Sequence, residues 1–133
     1  MDTLLELSIA GGFRAASAAR LSLEPLRNAL DDDLVDDIRF LVNELVTNSI
    51  RHGRVGARQH IGLKVLASDD TVRVEVRDPG PGFTPKPRPH DDDSMGWGLH
   101  LVQHLSDRWG VTRDGEMCVW FEMARTRARA QKA

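Results

Sequence analysis

The stretch E-L-V-T-N-S-I-R-H-G at residues 44–53 decides the fold, because it places two polar side chains on one face of a strongly periodic helix. The apolar stripe of this segment recurs at helical spacing, at Leu34, Ile38, Leu41 and Leu45. A helix over residues 33–51 is therefore predicted, with aspartates at its positive end and Gly53 at its stop.

Glu44 and Asn48 stand at positions i and i+4 of this helix and so share a face. An Asn oxygen suits Mg²⁺, and a carboxylate beside it can take a proton from a hydroxyl that attacks a phosphate. Taken alone, such a pair is more often a surface Glu and a helix-interior Asn without a role. Arg51 and His52 follow on the same side, where a histidine is commonly a cap or a packed ring.

The second motif is D-P-G-P-G-F at residues 78–83, which follows an alternating strand. Asp78 ends that strand, and its carboxylate can accept a hydrogen bond from an exocyclic amine such as that of adenine. Gly80 and Gly82 allow the backbone to approach a flat ligand. An ordinary Pro-Gly turn would give the same letters.

The third motif is G-W-G-L at residues 96–99, interpreted as a glycine loop that leads into a helix over 98–109. Amides of such a loop and of a helix start bind phosphates, although a helix entry with glycines for steric reasons is the alternative. A Walker loop is excluded because no Gly-Lys-Ser/Thr occurs, and a dinucleotide fingerprint is excluded because its strand and the spacing of its second glycine are missing. Together the three motifs predict a pocket for a nucleotide and a metal ion.

The remaining elements complete an α+β pattern. Strands are predicted over 5–9, 60–67, 71–77, 111–112 and 117–123, and a helix over 15–30 that Pro25 kinks or splits. Residues 84–94 carry three prolines and three aspartates and are predicted to form a mobile loop. The order predicts a two-layer α/β sandwich, with helices on one face of a mixed, mostly antiparallel sheet.

Composition indicates one globular domain over residues 1–133, with 41% hydrophobic and 29% charged residues. A single cysteine, Cys118, excludes an intramolecular disulfide, and apolar runs fall short of the roughly 20 residues of a membrane span. No basic stretch precedes the first apolar residues, so we expect a cytoplasmic protein. A net charge of −2 favours neither nucleic acid nor membrane, and both the acidic run at 31–37 and the basic tail at 125–133 are expected to lie in solvent.

These motifs resemble the Bergerat-fold (GHKL) ATPases, the superfamily of gyrase, heat-shock chaperone, sensor histidine kinase and mismatch-repair ATPases. Within it the chain looks most like stand-alone bacterial anti-sigma-factor serine/threonine kinases and related ATP-binding regulatory proteins. The resemblance rests on the 44–53 motif, on G-W-G-L followed by S-D-R-W-G at 106–110, and on V-W-F-E at 119–122.

The resemblance implies a role for each matching residue. Glu44 would be the general base, Asn48 the Mg²⁺ ligand, and residues 84–95 the lid over ATP. The residues implied to contact ATP are Asn48, His52, Asp78, Gly80, Gly82, Phe83, Gly96, Trp97, Gly98, Leu99 and Cys118. Cys118 stands where the family has an adenine-binding threonine, and three aspartates at 91–93 lie in the lid. A thiol bonds more weakly than a hydroxyl, and carboxylates repel phosphates, so both departures predict weaker nucleotide binding.

The function implied is transfer of the ATP γ-phosphate to a serine or threonine of an antagonist protein, together with binding of a sigma factor. A homodimer through the first strand and helix is also implied. The alternative is a non-catalytic module, either ATP-binding or independent of nucleotide, that regulates transcription by protein contact. A histidine kinase fragment or a gyrase-like ATPase is disfavoured, since no phosphoacceptor helix pair or transducer domain is expected beside the site.

Overall fold

The computed structural model describes residues 1–51, 55–79 and 94–126, with backbone alone at 94–99 and 114. The helices are α1 (Ala15–Ser22), a short 3-10 helix (Glu24–Asn28), α2 (Asp32–Arg51) and α3 (Ser94–Leu105). The strands are β1 (Asp2–Ala10), β2 (His60–Ala67), β3 (Thr71–Asp78), β4 (Arg108–Asp114) and β5 (Glu116–Ala124). None of the helices in these ranges is long and apolar enough to cross a membrane.

The five strands form one sheet in the order β1-β2-β3-β5-β4, and helices cover one of its faces. The predicted α+β two-layer class is confirmed. Every strand pair of this sheet is antiparallel, whereas the sequence left room for a mixed sheet. Gly115 makes the tight turn between β4 and β5 with a φ of 83°, a conformation that glycine adopts without strain.

The core lies between the sheet and the helices. Alternate residues of β3 and β5 point inward, and their side chains are buried at Val72, Val74, Val76, Val119, Phe121 and Met123. Helix α2 is the centre of the helical layer, since it contacts α1, β3 and α3. Its predicted apolar stripe is fully buried, with Ile38 and Leu41 at 0% exposure. Burial of this stripe rather than helix propensity holds α2 in place.

In the first half of the chain, the break after α1 and the start of α2 agree closely with the sequence prediction. The predicted break at Pro25 is confirmed, because α1 ends at Ser22 and the 3-10 helix starts at Glu24. The amide of Val35 donates to the carbonyl of Asp31 at 3.0 Å, which fixes the first turn of α2. The acidic run at 31–37 is partly paired rather than fully solvated, since Arg27 donates to Asp36 at 2.7 Å.

In the second half of the chain, the structure corrects three predicted boundaries. Helix α3 begins at Ser94, so G-W-G-L lies inside its first two turns and not in a loop before it. It ends at Leu105, because the amide of Asp107 already donates to the carbonyl of Glu122 at 2.9 Å. Trp109 consequently lies in β4, paired with Phe121, and not in a helix. The tail is held at its first residue, where Arg125 donates to the carbonyl of Ser68 at 2.7 Å.

Candidate functional site

The C-terminal half of α2 carries the first pair of candidate side chains. Asn48 is 2% exposed, and Glu44, one turn earlier, is half-buried. The buried position of Asn48 follows from the helical period, since it lies beside the apolar positions Leu41 and Leu45. The pair therefore lies at the border of the core, with an amide oxygen inside and a carboxylate at the rim.

Asp78 is the last residue of β3 and is 2% exposed. It continues the inward alternation of that strand and faces the helical layer. Met117 of β5 lies directly opposite Asp78, and Arg113 of β4 lies opposite Met117. Directly paired residues share a face, so the three side chains form one row across the end of the sheet. Met117 and Arg113 were not among the predicted site residues.

The end of α2 lies at the same end of the sheet as Asp78. The amide of Val55 donates to the carbonyl of Ser49 at 3.3 Å, and the chain then enters β2 at His60. The start of β2 pairs with the end of β3, with Gly62 opposite Arg77. The structure thus brings the region of Asn48 to the strand end that carries Asp78.

Helix α3 carries the third predicted motif, G-W-G-L, near its start. The residues that follow the helix lie beside Glu122, at the opposite end of β5 from Met117. In an α-helix that begins at Ser94, the amide of Trp97 is the first donor of the helical ladder, so the amides of Ser94, Met95 and Gly96 have no partner within the helix. Gly96 therefore keeps an amide that suits an anion, whereas the amides of Trp97, Gly98 and Leu99 belong to the helical ladder.

Cys118 lies on the other face of the sheet, which corrects its predicted place in the nucleotide site. It pairs directly with Arg77 and Thr112, in the row that precedes the row of Asp78. Because side chains alternate along a strand, Cys118 points away from the helices while Met117 points toward them. Burial raises the pKa of its thiol, and the nearby charge of Arg77 offsets this only in part.

The outer face around Cys118 is an ionic network. Arg73 donates to Glu75 at 2.9 Å and to Glu122 at 3.0 Å, and its guanidinium lies 4.2 Å from the ring centre of Trp120. Burial alone would raise the pKa of Glu75, but the hydrogen bonds and charges of Arg73 and Arg77 outweigh it and bring the pKa below its usual value. Paired charges thus link β3 to β5 on the outer face.

Several predicted site residues lie outside the described residues. They are His52, Gly80, Gly82 and Phe83, together with residues 84–93 of the predicted lid. Ser94 and Met95, the last two residues of that lid, belong to α3. Two hollows elsewhere in the described chain do not include Glu44, Asn48 or Asp78. One of about 450 Å³ lies on the outer face beside Lys64, and one of about 260 Å³ lies between α1 and α2.

The side chains of this region fit a magnesium nucleotide chemically. Asn48 offers a neutral oxygen, which suits Mg²⁺ because this ion keeps several waters and takes few protein ligands. Among the described residues no group of three or more His, Cys, Asp or Glu side chains could form a metal cage. The carboxylate of Asp78 accepts hydrogen bonds only, which suits an exocyclic amine.

Comparison with known proteins agrees with this geometry. Residues 13–123 match the family model described as the histidine kinase-like ATPase domain. The chain is 31% identical over 106 residues to the serine-protein kinase RsbW of Listeria monocytogenes, an alignment that covers 68% of each chain. It is 26% identical over 121 residues to the anti-sigma F factor of Oceanobacillus iheyensis, covering 80% of this chain and 81% of that protein.

A solved structure supports the same fold. The blue-light activated histidine kinase of Erythrobacter litoralis EL346 superposes with a TM-score of 0.58 at 22% identity, over 76% of this chain and 33% of that one. The likeness concerns the fold, since this chain spans about a third of that protein. The family match covers 111 residues, from 13 to 123, and includes both α2 and the strand end with Asp78. The chain belongs to the histidine kinase-like ATPase domain family.

Proposed function

We propose that this protein binds ATP with Mg²⁺ and acts in the cytoplasm as a serine/threonine kinase of the anti-sigma-factor type. It would transfer the γ-phosphate to an antagonist protein and would also bind a sigma factor. The observation that carries the proposal is that α2, which holds Glu44 and Asn48, ends where the chain enters β2, opposite the strand end that carries Asp78. The names of the relatives, a serine-protein kinase and an anti-sigma F factor, support the choice of activity and partners.

Each side chain has one task in this proposal. Asp78 accepts a hydrogen bond from the adenine amine within the buried end of the sheet. Asn48 directs its amide oxygen to Mg²⁺, which supplies charge neutralisation at the phosphates when bound. Glu44 accepts the proton of the attacking serine or threonine hydroxyl. The amide of Gly96 favours the phosphates, and residues 84–93 would cover them.

One of the two observations that favoured the non-catalytic alternative no longer supports it. Cys118 suggested weak nucleotide binding only as long as it replaced the adenine-binding threonine, and its side chain lies on the opposite face of the sheet. The aspartates at 91–93 lie outside the described residues. We therefore keep the kinase as the proposed function.

Homodimer formation belongs to the proposal as well. Strand β1 is an edge of the sheet and pairs only with β2 among the described strands. An edge strand offers free backbone groups to a second chain. Light scattering after gel filtration would measure the mass, and a mass of one chain at micromolar concentration would remove the dimer from the proposal.

The test of the proposed function compares Glu44→Gln with Glu6→Gln, a matched control on β1 far from α2. Purified protein, Mg²⁺, radiolabelled ATP and candidate antagonist proteins are incubated together, and phosphoserine and phosphothreonine are measured. Removing a general base lowers the transfer rate by about 10²- to 10⁴-fold. We expect that loss for Glu44→Gln with ATP binding retained, and an unchanged rate for Glu6→Gln. Equal transfer by both variants would refute the role of Glu44.

A further inference from the structure

A chain of two side-chain hydrogen bonds leads from α1 to Glu44. The Nη1 atom of Arg20, on α1, donates to Oδ1 of Asn43 on α2. The Nδ2 atom of Asn43 donates to Oε2 of Glu44 at 3.3 Å. All three side chains are half-buried, so the two bonds are shielded from much of the solvent competition that weakens surface contacts. Arg20 is thereby connected to a carboxylate that it does not itself touch.

The chemistry of the three groups fixes the direction of this chain. A guanidinium carries donors only, so the oxygen of the Asn43 amide must face Arg20. An ionised carboxylate carries acceptors only, so the nitrogen of the same amide must face Glu44. A flipped amide would oppose donor to donor and acceptor to acceptor. A carboxamide is the side chain that satisfies both neighbours at once.

The bond between Asn43 and Glu44 also needs support from outside α2. Successive residues of a helix point about 100° apart, so neighbours do not ordinarily face each other. Both side chains must bend toward each other to meet, and each could instead turn to water. Arg20 removes that freedom for Asn43, since it holds the amide oxygen on the side of α1.

We propose that Arg20 and Asn43 are positioning residues for Glu44. They hold one carboxylate oxygen, Oε2, by a hydrogen bond and so leave the other, Oε1, to accept the proton of the attacking hydroxyl. This inference rests on the proposed kinase function, because that function gives Glu44 its task. Positioning of a catalytic group acts on the chemical step more than on the binding of ATP.

The kinetic test uses Asn43→Ala and Arg20→Ala, with Arg39→Ala as the matched control. Arg39 lines the same hollow of about 260 Å³ between α1 and α2 but pairs with Glu24 at 3.2 Å. Loss of one orienting hydrogen bond predicts a fall in kcat for ATP turnover of about five- to tenfold, with KM for ATP within twofold. Arg20→Lys restores a donor to Asn43 and should recover part of the kcat lost in Arg20→Ala. Arg39→Ala should have the kcat of the wild-type protein.

A second measurement does not depend on turnover. In nitrogen-15 NMR spectra of the nucleotide-free protein, the side-chain amide signal of Asn43 should shift in Glu44→Ala and in Arg20→Ala, and should stay in place in Arg39→Ala. If that pattern holds but wild-type protein never turns over ATP, the proposed function fails while the two contacts stand. If wild type turns over ATP and Asn43→Ala matches its kcat, the positioning proposal is overturned. The positioning proposal is also overturned if the Asn43 side-chain amide signal stays in place in both Glu44→Ala and Arg20→Ala.

Discussion

Replacement of Asp78 by Asn is the sharpest test of where the nucleotide lies. The change keeps the size of the side chain but turns one acceptor oxygen into a donor, at a position that is 2% exposed. A hydrogen bond to a charged group is worth about 1.5–3 kcal/mol. Since 1.4 kcal/mol is a factor of ten in Kd, ATP should bind roughly 10- to 140-fold more weakly to Asp78→Asn.

The matched control is Cys118→Thr, which replaces the thiol by a hydroxyl on the outer face of the sheet. Cys118 is adjacent in sequence to Met117, which pairs with Asp78, yet its side chain lies on the opposite face of the sheet. A hydroxyl on that face cannot reach a ligand of the helix-facing row. We therefore expect an unchanged Kd for ATP, within twofold, in Cys118→Thr.

Isothermal titration calorimetry with ATP and ADP, with and without Mg²⁺, measures both variants, and thermal unfolding checks that each remains folded. A tighter Kd in Cys118→Thr by tenfold or more would refute the assignment of the two faces. An unchanged Kd in Asp78→Asn would refute the adenine contact itself. A lower Kd for wild type with Mg²⁺ than without it would support the proposed ligand role of Asn48.

Two further predictions concern stability. A Cβ at Gly11 would clash with the carbonyl oxygen of Gly56, whereas a Cβ at Gly56 would meet nothing within 4 Å. Gly11→Ala should therefore lower the free energy of unfolding by about 1–3 kcal/mol, and Gly56→Ala should leave it unchanged or raise it slightly. Urea denaturation measures both, and equal midpoints would contradict the close approach of the two loops. The pKa of Glu75 lies below its usual value because Arg73 and Arg77 donate hydrogen bonds to its carboxylate. This carboxylate therefore stabilises the fold above the unfolded pKa of about 4.5, and the stabilisation is lost as the pH falls through the folded pKa. Glu75→Gln should therefore lower the free energy of unfolding at pH 7 by at most about 1 kcal/mol and have less effect near pH 3, and a cost independent of pH would contradict this pairing.

The helix that carries Glu44 and Asn48 was predictable because its pattern is local. Four leucine and isoleucine positions at helical spacing fix which face of α2 is buried, and the polar pair follows from that face. The structure moves the start of this helix by one residue, to Asp32. Nothing distant in sequence is needed to obtain this half of the site.

The start of α3 was not predictable in the same way. Glycines at 96 and 98 are unfavourable in a helix by about 1 kcal/mol each, which made a loop the natural interpretation. The end of the helix was misplaced for a different reason. Trp109 leaves the helix because β4 pairs with β5, a contact between strands that a local pattern does not contain.

The face of Cys118 could have been obtained from the sequence. Counting by twos from the charged Glu122 passes Trp120 and reaches Cys118, which puts all three on the outer face. Motif letters alone place Cys118 in the nucleotide site, because they carry no information about the alternation of side chains along the strand. The contact of Arg20 with Asn43, 23 residues apart, could not be predicted from the sequence pattern, because it depends on how α1 packs against α2.

The ionic outer face has a consequence for the site on the opposite face. A slip of one residue between β3 and β5 would exchange the two faces, moving Asp78 away from the helices. Arg73 is directly opposite Glu122 and bonds to it at 3.0 Å, which ties the two strands in the observed register. Trp120 packs under the same guanidinium and against Gly110 of β4, where any Cβ would come within 2.8 Å of its ring. Residues of the outer face thus help determine that Asp78 and Met117 face the helices, because cross-strand pairs stabilise one register over its neighbours.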